Sequence, residues 1–175
     1  MNQTLKDIQE RRSCRKYKPD MPPADVIEQI CVAGSYAATG MNRQSPIIIA
    51  VTKKSLRDRL SELNAQIMGR SDFDPFYGAP VVLIVLADKS IPTHVYDGTL
   101  VMGNLMLAAH TLGLGNCWIH RAREEFETDE CKAILKELGI EGEYEGIGHC
   151  VIGYSEDAPK VSAFRKADYI YHIDD

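Results

Sequence analysis

Several features that mark whole classes of protein are scarce in this sequence. Its 175 residues include only five cysteines, and none of them forms a C-x-x-C pair, so neither a disulfide framework nor a zinc knuckle is expected. The longest apolar stretch, residues 81–87, is far too short to span a bilayer. The first residues hold no apolar run typical of a signal peptide. These absences favour a reducing, cytoplasmic location and no membrane partner.

An excess of positive charge is also missing. The formal net charge is −5, whereas a general nucleic-acid surface needs clustered lysine and arginine. What is present is a globular composition, with 45% hydrophobic and 26% charged residues. That composition suffices for a hydrophobic core in one domain of this length. We therefore expect a single domain over residues 1–175 and no nucleic-acid partner.

Helical and extended patterns alternate along the chain. Apolar stripes predict helices over residues 4–11, from 23, from 55, over 95–112 and from 128. Short apolar runs predict strands over residues 47–52, 81–87, 114–119 and 147–154. Such alternation by itself favours an α/β fold with a parallel sheet. The helix over 95–112 is apolar on nearly all sides, which predicts burial almost all round.

Two glycine pairs, Gly113–Gly115 and Gly146–Gly148, have the G-x-G spacing of dinucleotide-binding loops. Each pair leads into a predicted strand, whereas the fingerprint needs its glycines between a strand and a helix. We therefore interpret these glycines as helix terminators and strand entries. The five histidines show no metal-ligand spacing, so no metal site is expected. A Ser–His–Asp or Cys–His site would assemble only in space and stays open.

The segment over residues 11–16, RRSCRK, concentrates positive charge directly after the first predicted helix. In an extended segment the alternate residues Arg11, Ser13 and Arg15 share one face. Two guanidinium groups and a hydroxyl on one face would suit an anion. The alternative is a solvated run of charge, which is common for basic residues.

Two further segments carry side chains suited to a flat ligand. Residues 39–44, TGMNRQ, place two amides and a glycine in one loop, and amides suit the edge of a heterocycle. The alternative is an ordinary polar loop. Residues 116–120, NCWIH, end a predicted strand with the single tryptophan of the chain. The alternative for that segment is core packing.

Together these segments resemble the nitroreductase family of FMN enzymes. Residues 11–17 match its R-R-S-x-R-x-Y stretch, and residues 39–44 are similar to the first six positions of its S-G-x-N-x-Q-P loop, although Ser45 stands at the position of the proline. Residues 104–119 resemble a helix-then-strand block that ends in G-L-G-x-C-W-I. Gly153-Tyr154 and Arg165-Lys166 resemble the family's C-terminal pattern.

The resemblance implies an α+β fold, a nitroreductase-like three-layer α-β-α sandwich with a mostly antiparallel central sheet in an intertwined homodimer. We prefer this sheet to the parallel one, because topology is where single-sequence reasoning is weakest. Residues 155–175 would be a C-terminal tail that wraps the partner subunit and adds a strand to its sheet. That role would account for the apolar residues Tyr169, Ile170, Tyr171 and Ile173 in an otherwise polar tail.

The resemblance also implies roles for individual residues. Arg11 and Arg165 would hold the FMN phosphate, while Ser13 and Arg15 would face the ribityl chain and the pyrimidine edge of the flavin. No separate catalytic residue is implied beyond Arg15, whose charge would stabilise the reduced ring. The backbone near His120 and Arg121 would approach flavin N5, and residues 39–44 would come from the other subunit. The implied cofactor-binding residues are Arg11, Arg12, Ser13, Arg15, Thr39, Gly40, Asn42, Gln44, Asn64, Cys117, Trp118, Ile119, His120 and Arg165.

The activity implied is that of an FMN-dependent oxidoreductase. Hydride would pass from NAD(P)H through flavin N5 to a nitroaromatic, a quinone or a similar acceptor, by a ping-pong mechanism. One alternative is a protein that stores or senses flavin without significant turnover. Another is a specialised flavin reductase or dehalogenase within the same family.

Overall fold

The structure is a computed structural model that describes residues 1–156, 161 and 163–174. The predicted helices and strands all occur there, and most of their bounds differ by one or two residues from those predicted. The short α5 was not predicted, β4 begins three residues early, and α1 is capped by Asn2, whose side chain accepts from the Thr4 amide. The elements are α1 (Gln3–Glu10), α2 (Ala24–Ser35), β1 (Pro46–Val51), α3 (Lys54–Met68), β2 (Val81–Asp88), α4 (His94–Thr111), β3 (Gly115–Ile119), α5 (Ala122–Phe126), α6 (Asp129–Glu137) and β4 (Tyr144–Gly153).

The four strands form one antiparallel sheet in the order β1-β2-β4-β3. All three strand pairings are antiparallel, so the parallel sheet favoured by the alternation of elements is wrong. The physical reason is that hydrophobic periodicity reports which face a residue occupies and not the direction in which its strand runs. The antiparallel α+β sheet implied by the resemblance is confirmed.

Helices cover both faces of the sheet, which gives three layers. Strand β2 is buried along almost its whole length, because alternate residues enter two separate cores. Val82, Ile84 and Leu86 pack on the α3, α5 and α6 side. Leu83 and Val85 pack on the α2 and α4 side. The sheet therefore holds the end of β3 rigidly between two packed layers.

Helix α4 departs from the burial that its sequence predicts. One side packs on the sheet, with Met102 and Leu105 completely buried. On another side Val95, Tyr96 and Leu100 are exposed, Tyr96 to 73%. The expectation of burial almost all round is thus wrong for the single chain, because no described element covers these three residues.

Apolar side chains of the tail are exposed as well. Phe164 and Ile173 are fully solvent-exposed, and Tyr169, Ile170 and Tyr171 are each at least 67% exposed. Among the described residues, no helix combines the length and apolar character required to cross a membrane. Exposed apolar side chains thus occur on α4 and in the tail, and also at Leu5 and Ile8 of α1 and at Tyr36 and Met41 after α2.

Candidate functional site

The segment after α1 runs along the outer edge of β3. Ser13 forms a parallel bridge with Asn116, and the Cys14 amide donates to the Asn116 carbonyl at 2.8 Å. Further on, Tyr17 forms an antiparallel bridge with Ser155. The segment is therefore extended, which is the condition under which its alternate side chains share a face.

Three side chains of this segment gather around one residue of β3. Burial raises the pKa of the Cys117 thiol, and the Arg15 guanidinium, a hydrogen bond with Ser13 and the Arg11 guanidinium act in the opposite direction. The net result is a raised thiol pKa, so Cys117 stays a neutral packing residue. Arg11 also donates from Nη1 to Asn116 Oδ1 at 3.3 Å. Two cations and a hydroxyl thus meet at the edge of β3, which we call the β3-edge cluster.

Arg12 does not join the β3-edge cluster. Its Nη1 donates to the Gln9 carbonyl at 2.7 Å and to the Arg11 carbonyl at 2.5 Å. These acceptors belong to the end of α1, so the guanidinium closes the helix and is turned away from β3. Its Nε, however, is buried and has no hydrogen-bond partner among the described residues, so contact of Arg12 with the cofactor stays a prediction.

The far end of β3 leads into a turn beside a cavity. A Cβ at Gly148 would lie 2.7 Å from Trp118 Nε1, so only glycine leaves room there for the indole. The chain then turns at His120 and Arg121, where Arg121 has a left-handed φ of 79°. A residue with a side chain rarely adopts this conformation, so the turn is a strained position next to the candidate site.

A buried polar network forms hydrogen bonds with the backbone of this turn. Asn64, Glu125 and His149 are fully buried. Asn64 Nδ2 donates to the His120 carbonyl at 2.8 Å and also to the Glu125 carboxylate. His149 Nε2 lies 2.9 Å from Glu125 Oε2, and the Glu125 amide donates to the Arg121 carbonyl at 3.0 Å. Both turn residues are therefore tied to one network, which the sequence did not reveal because its members lie in three distant segments.

The loop over residues 39–44 is held in an unusual conformation. Met41, Asn42 and Gln44 all have positive φ angles, of 54°, 54° and 50°. Such angles are uncommon outside glycine and cost of order 1–3 kcal/mol each when the surroundings impose them. Three in one short loop indicate that neighbouring contacts determine its shape.

Asp97 at the start of α4 supplies those contacts. Its Oδ1 accepts from the Gly40 amide at 2.9 Å, and its Oδ2 accepts from Ser45 at 2.8 Å and from Thr93 at 3.1 Å. Burial opposes ionisation of this carboxyl, but the three hydrogen bonds together outweigh burial and lower its pKa. Asp97 was missed in the sequence, although an acid in the first turn of an apolar helix is a usable signal.

The single chain does not bring all the predicted site residues together. The β3-edge cluster and residues 117–121 follow one strand, whereas the 39–44 loop is fixed to the start of α4. Arg165 lies exposed in the tail, and no described residue forms a hydrogen bond or ion pair with it. Within the described residues no cluster of His, Cys, Asp and Glu could hold a metal ion.

Comparisons with known proteins agree on one family. The model of the nitroreductase family matches residues 8–154. A protein of Methanothermobacter thermautotrophicus, provisionally named NADH dehydrogenase/NAD(P)H nitroreductase, is 30% identical over 65% of this chain and 59% of its own length. The FMN reductase [NAD(P)H] of Bacillus subtilis is 26% identical over 70% of this chain and 56% of its own length. The chain thus spans less than two thirds of each relative.

A solved structure agrees over nearly the whole chain. A nitroreductase with bound FMN from Bacteroides fragilis has a TM-score of 0.89 and 28% identity, over 99% of this chain and all of that chain. The match includes the antiparallel sheet and the helical layers on both of its faces. The family match covers well over half of the sequence. The chain belongs to the nitroreductase family.

Proposed function

We propose that this protein binds FMN without a covalent bond and works as an NAD(P)H-dependent oxidoreductase. The observation that carries the proposal is the β3-edge cluster, in which Arg11, Ser13 and Arg15 surround one short stretch of β3. A phosphate dianion is bound well by guanidinium groups, which donate in pairs. The FMN bound to the B. fragilis nitroreductase supports the same assignment.

The residues of β3 and of the turn after it fit FMN in their chemistry and in the length of chain over which they are spread. Cys117 and His120 lie three residues apart in β3 and the following turn, which is about 10 Å of extended chain. We assign Arg11 to the phosphate and Arg15 to the pyrimidine edge of the ring, where a cation stabilises negative charge that develops on reduction. The flavin supplies hydride transfer when bound. Trp118 would give the ring an apolar wall, whereas the Ile119 side chain packs in the core on the other face of the sheet, so only its backbone could reach the ring.

We further propose that the active unit is a homodimer of residues 1–175. Support comes from two uncovered apolar regions, namely Val95, Tyr96 and Leu100 on α4 and the tail residues around Tyr171. Exposed apolar surface of this kind marks an interface. In the dimer, the 39–44 loop and Arg165 would complete the site of the partner subunit. Sedimentation at micromolar concentration should give one dimeric species, and a monomer that retains flavin would contradict this.

The acceptor class that we propose is nitroaromatics, quinones and similar flat oxidants, reduced by a ping-pong mechanism. Donor and acceptor would use the same open face of the ring, so each must leave before the other binds. Double-reciprocal plots at several acceptor concentrations should give parallel lines. Intersecting lines would indicate a ternary complex and exclude the shared face.

The experiment that tests the function as a whole is purification followed by identification of any bound flavin. The protein should be yellow, release FMN on denaturation, and oxidise NAD(P)H rapidly when a quinone is added. Bound FMN with negligible oxidation would favour a storage or sensing role. Reduction of free FMN above that of quinones would favour a flavin reductase, as the name of the B. subtilis relative suggests. Colourless protein that takes up no FMN would contradict the proposal.

We place this activity in the cytoplasm. All five cysteines are free thiols in the structure, and four of them are buried. Burial raises the pKa of the Cys131 thiol to about 11, so this thiol is inert. A chain with five free thiols is typical of a reducing compartment.

A further inference from the structure

A cavity lies beside Trp118, at the turn that follows β3. Its volume is about 370 Å³, and its walls come from α4, from the start of β4 and from the turn itself. Val95, Trp118 and Ile147 give it apolar surface, while His120 and Arg121 line the side nearest the turn. A cavity of this size and composition accommodates one substituted aromatic ring.

The charges around the cavity are unevenly compensated. Glu145 lies 3.2 Å from His94 Nε2 and 3.5 Å from Arg123 Nε, so this acid already has two partners. Arg123 also lies 3.8 Å from Glu127. Glu124 is exposed at the rim, where water solvates its charge. The acids that line the cavity are therefore paired or hydrated.

Arg121 is the exception among these groups. It is half-buried in the cavity wall, and within the described parts of the chain no hydrogen bond or ion pair reaches its guanidinium. A partly desolvated cation without a partner is costly, and an anion of matching shape relieves that cost. The uncompensated charge of Arg121 therefore indicates that the cavity would accept an anionic group next to its apolar wall.

Backbone geometry supports a functional reason for Arg121. The residue has a φ of 79°, in the left-handed region that favours glycine, and its carbonyl accepts from the Glu125 amide at 3.0 Å. The buried network holds the preceding carbonyl of His120 through Asn64. The chain thus fixes a long cationic side chain at a position where glycine would be less strained.

We propose that Arg121 selects ligands that carry an anionic group, a carboxylate or a phosphate, on the flat molecule that occupies this cavity next to the flavin. Trp118 and Ile147 would contact the ring, and Arg121 would bind the anion. The inference rests on the proposed function for the position of the flavin. It goes beyond that function by naming the substrate class.

The test compares two acceptors that differ only in charge, 4-nitrobenzoate and 4-nitrobenzamide. In the wild type, kcat/KM should favour the benzoate by about tenfold, the worth of one hydrogen bond to a charged group. Arg121→Gln should bring the ratio close to one, and Arg121→Lys should retain most of the preference. The ratio cancels any loss common to both acceptors. Lys132→Gln, which removes an exposed charge on α6 outside the cavity lining, should leave the ratio within about twofold, because exposed charges interact weakly.

A wild-type ratio near one, or a preference that survives in Arg121→Gln, would overturn the inference as it concerns acceptors. Stopped-flow reduction of the flavin by NADPH and by NADH then tests a second source of the anion, which is the additional phosphate of NADPH. A loss confined to NADPH in Arg121→Gln would assign the anion to the phosphate of the donor, and equal rates for both donors in both proteins would reject Arg121 altogether.

A calorimetric titration separates failure of this inference from failure of the proposed function. Both nitro compounds are titrated into the purified protein, with whatever flavin it holds and without NAD(P)H. Tighter binding of 4-nitrobenzoate in the wild type and its loss in Arg121→Gln would support the anion site even if no turnover occurs. Turnover of 4-nitrobenzamide with no charge preference in binding would support the oxidoreductase and reject the anion site.

Discussion

Two segments outside the regular elements carry the arginines assigned to the FMN phosphate, and they differ sharply in structure. Residues 11–17 lie along β3, where Cys14 and Tyr17 are buried and two β-bridges fix the backbone. Among the described residues, the last backbone hydrogen bond between the tail and the body is that of the Glu156 amide, which donates to the Lys16 carbonyl at 3.0 Å. Farther on, Phe164 is fully exposed. One arginine is thus positioned by its own chain, whereas Arg165 needs a surface that the single chain does not provide.

Tyr17 shows how completely the first segment has joined the core. Its hydroxyl donates to the Cys14 carbonyl at 3.1 Å, and burial raises its pKa far above the ordinary tyrosine value. The ring packs in the same core as Ile84 and Cys117. Under the proposed assignment, Arg11 would be positioned by the folding of its own chain and Arg165 by the assembly of the dimer.

Removal of the tail after Glu156 should have the largest effect on the part of the site that depends on assembly. We expect the truncated protein to fold as a monomer and to lose FMN affinity by at least roughly a hundredfold, since Arg165 and the partner loop are both lost. Sedimentation and flavin fluorescence titration measure the two effects. The full-length control Arg165→Ala should stay dimeric and lose only about tenfold. A truncated dimer that binds FMN tightly would remove the distinction between the two segments.

A second prediction concerns the buried network of Asn64, Glu125 and His149, which lies within one chain. Glu125→Ala leaves the fully buried His149 Nε2 without its partner and removes one of the two acceptors of Asn64 Nδ2, and an unsatisfied buried polar group typically costs about 1–3 kcal/mol of unfolding free energy. Chemical denaturation at fixed protein concentration measures this loss. Glu124→Ala, which alters the exposed neighbour, should cost less than about 0.5 kcal/mol. Equal stability of the two variants would show that the turn does not depend on the network.

Arg11 and Arg15 sharpen the comparison within the first segment. Arg11→Ala should weaken FMN binding roughly tenfold to a hundredfold, the worth of one charge-assisted hydrogen bond. Arg15→Ala should slow flavin reduction more than it weakens binding of oxidised FMN, because its interaction strengthens as charge develops. It should also lower the flavin potential.

The measurements are FMN titration and stopped-flow reduction at saturating flavin. Lys18→Ala serves as the control, since this exposed cation lies beyond the β3-edge cluster and its loss should leave both quantities nearly unchanged. Poor binding with a normal reduction rate in Arg15→Ala would make Arg15 a second phosphate ligand.

Acid should produce the smallest effect, and it concerns the loop at Asp97. Burial alone would raise the pKa of Asp97, but hydrogen bonds from Gly40, Ser45 and Thr93 lower it by more, so the net shift of the pKa is downward. A lowered folded-state pKa contributes stability above the unfolded value, about 3.9, and this contribution is lost as the pH falls through the folded value. Unfolding free energy should therefore decline below about pH 4, and the decline should be smaller in Asp97→Asn. An unchanged slope in that variant would exclude this carboxyl.

Local sequence patterns predicted much of the fold, and the features that they failed to predict have physical causes. Apolar runs located β2 within one residue, because burial on both faces leaves a continuous hydrophobic signal. Strand direction was not accessible, since periodicity carries no information about it. Thr128 was predicted as a cap, and its hydroxyl accepts from the Cys131 amide. The five-residue α5 was missed because so short a helix has almost no periodicity.

The candidate site was likewise predictable only in part. Alternation predicted that Arg11, Ser13 and Arg15 would share a face, and the bridge to Asn116 provides the extended backbone that this requires. Contacts between distant segments were not predictable, which is why Asp97 and Glu125 were missed. Assignment of the 39–44 loop to the partner subunit stays a prediction.

The order of strands has one consequence for handling the protein. Strand β3 is met on its outer side by Ser13, which bridges Asn116, whereas β1 has β2 as its only strand neighbour among the described residues. An uncovered edge with the sequence PIIIAV offers free backbone donors and acceptors along an apolar, uncharged strand, which is the template for aggregation. Dilution or truncation that separates the subunits should therefore increase turbidity and thioflavin binding. Assembly would act here as a safeguard during synthesis, since each new chain is vulnerable until another copy reaches it.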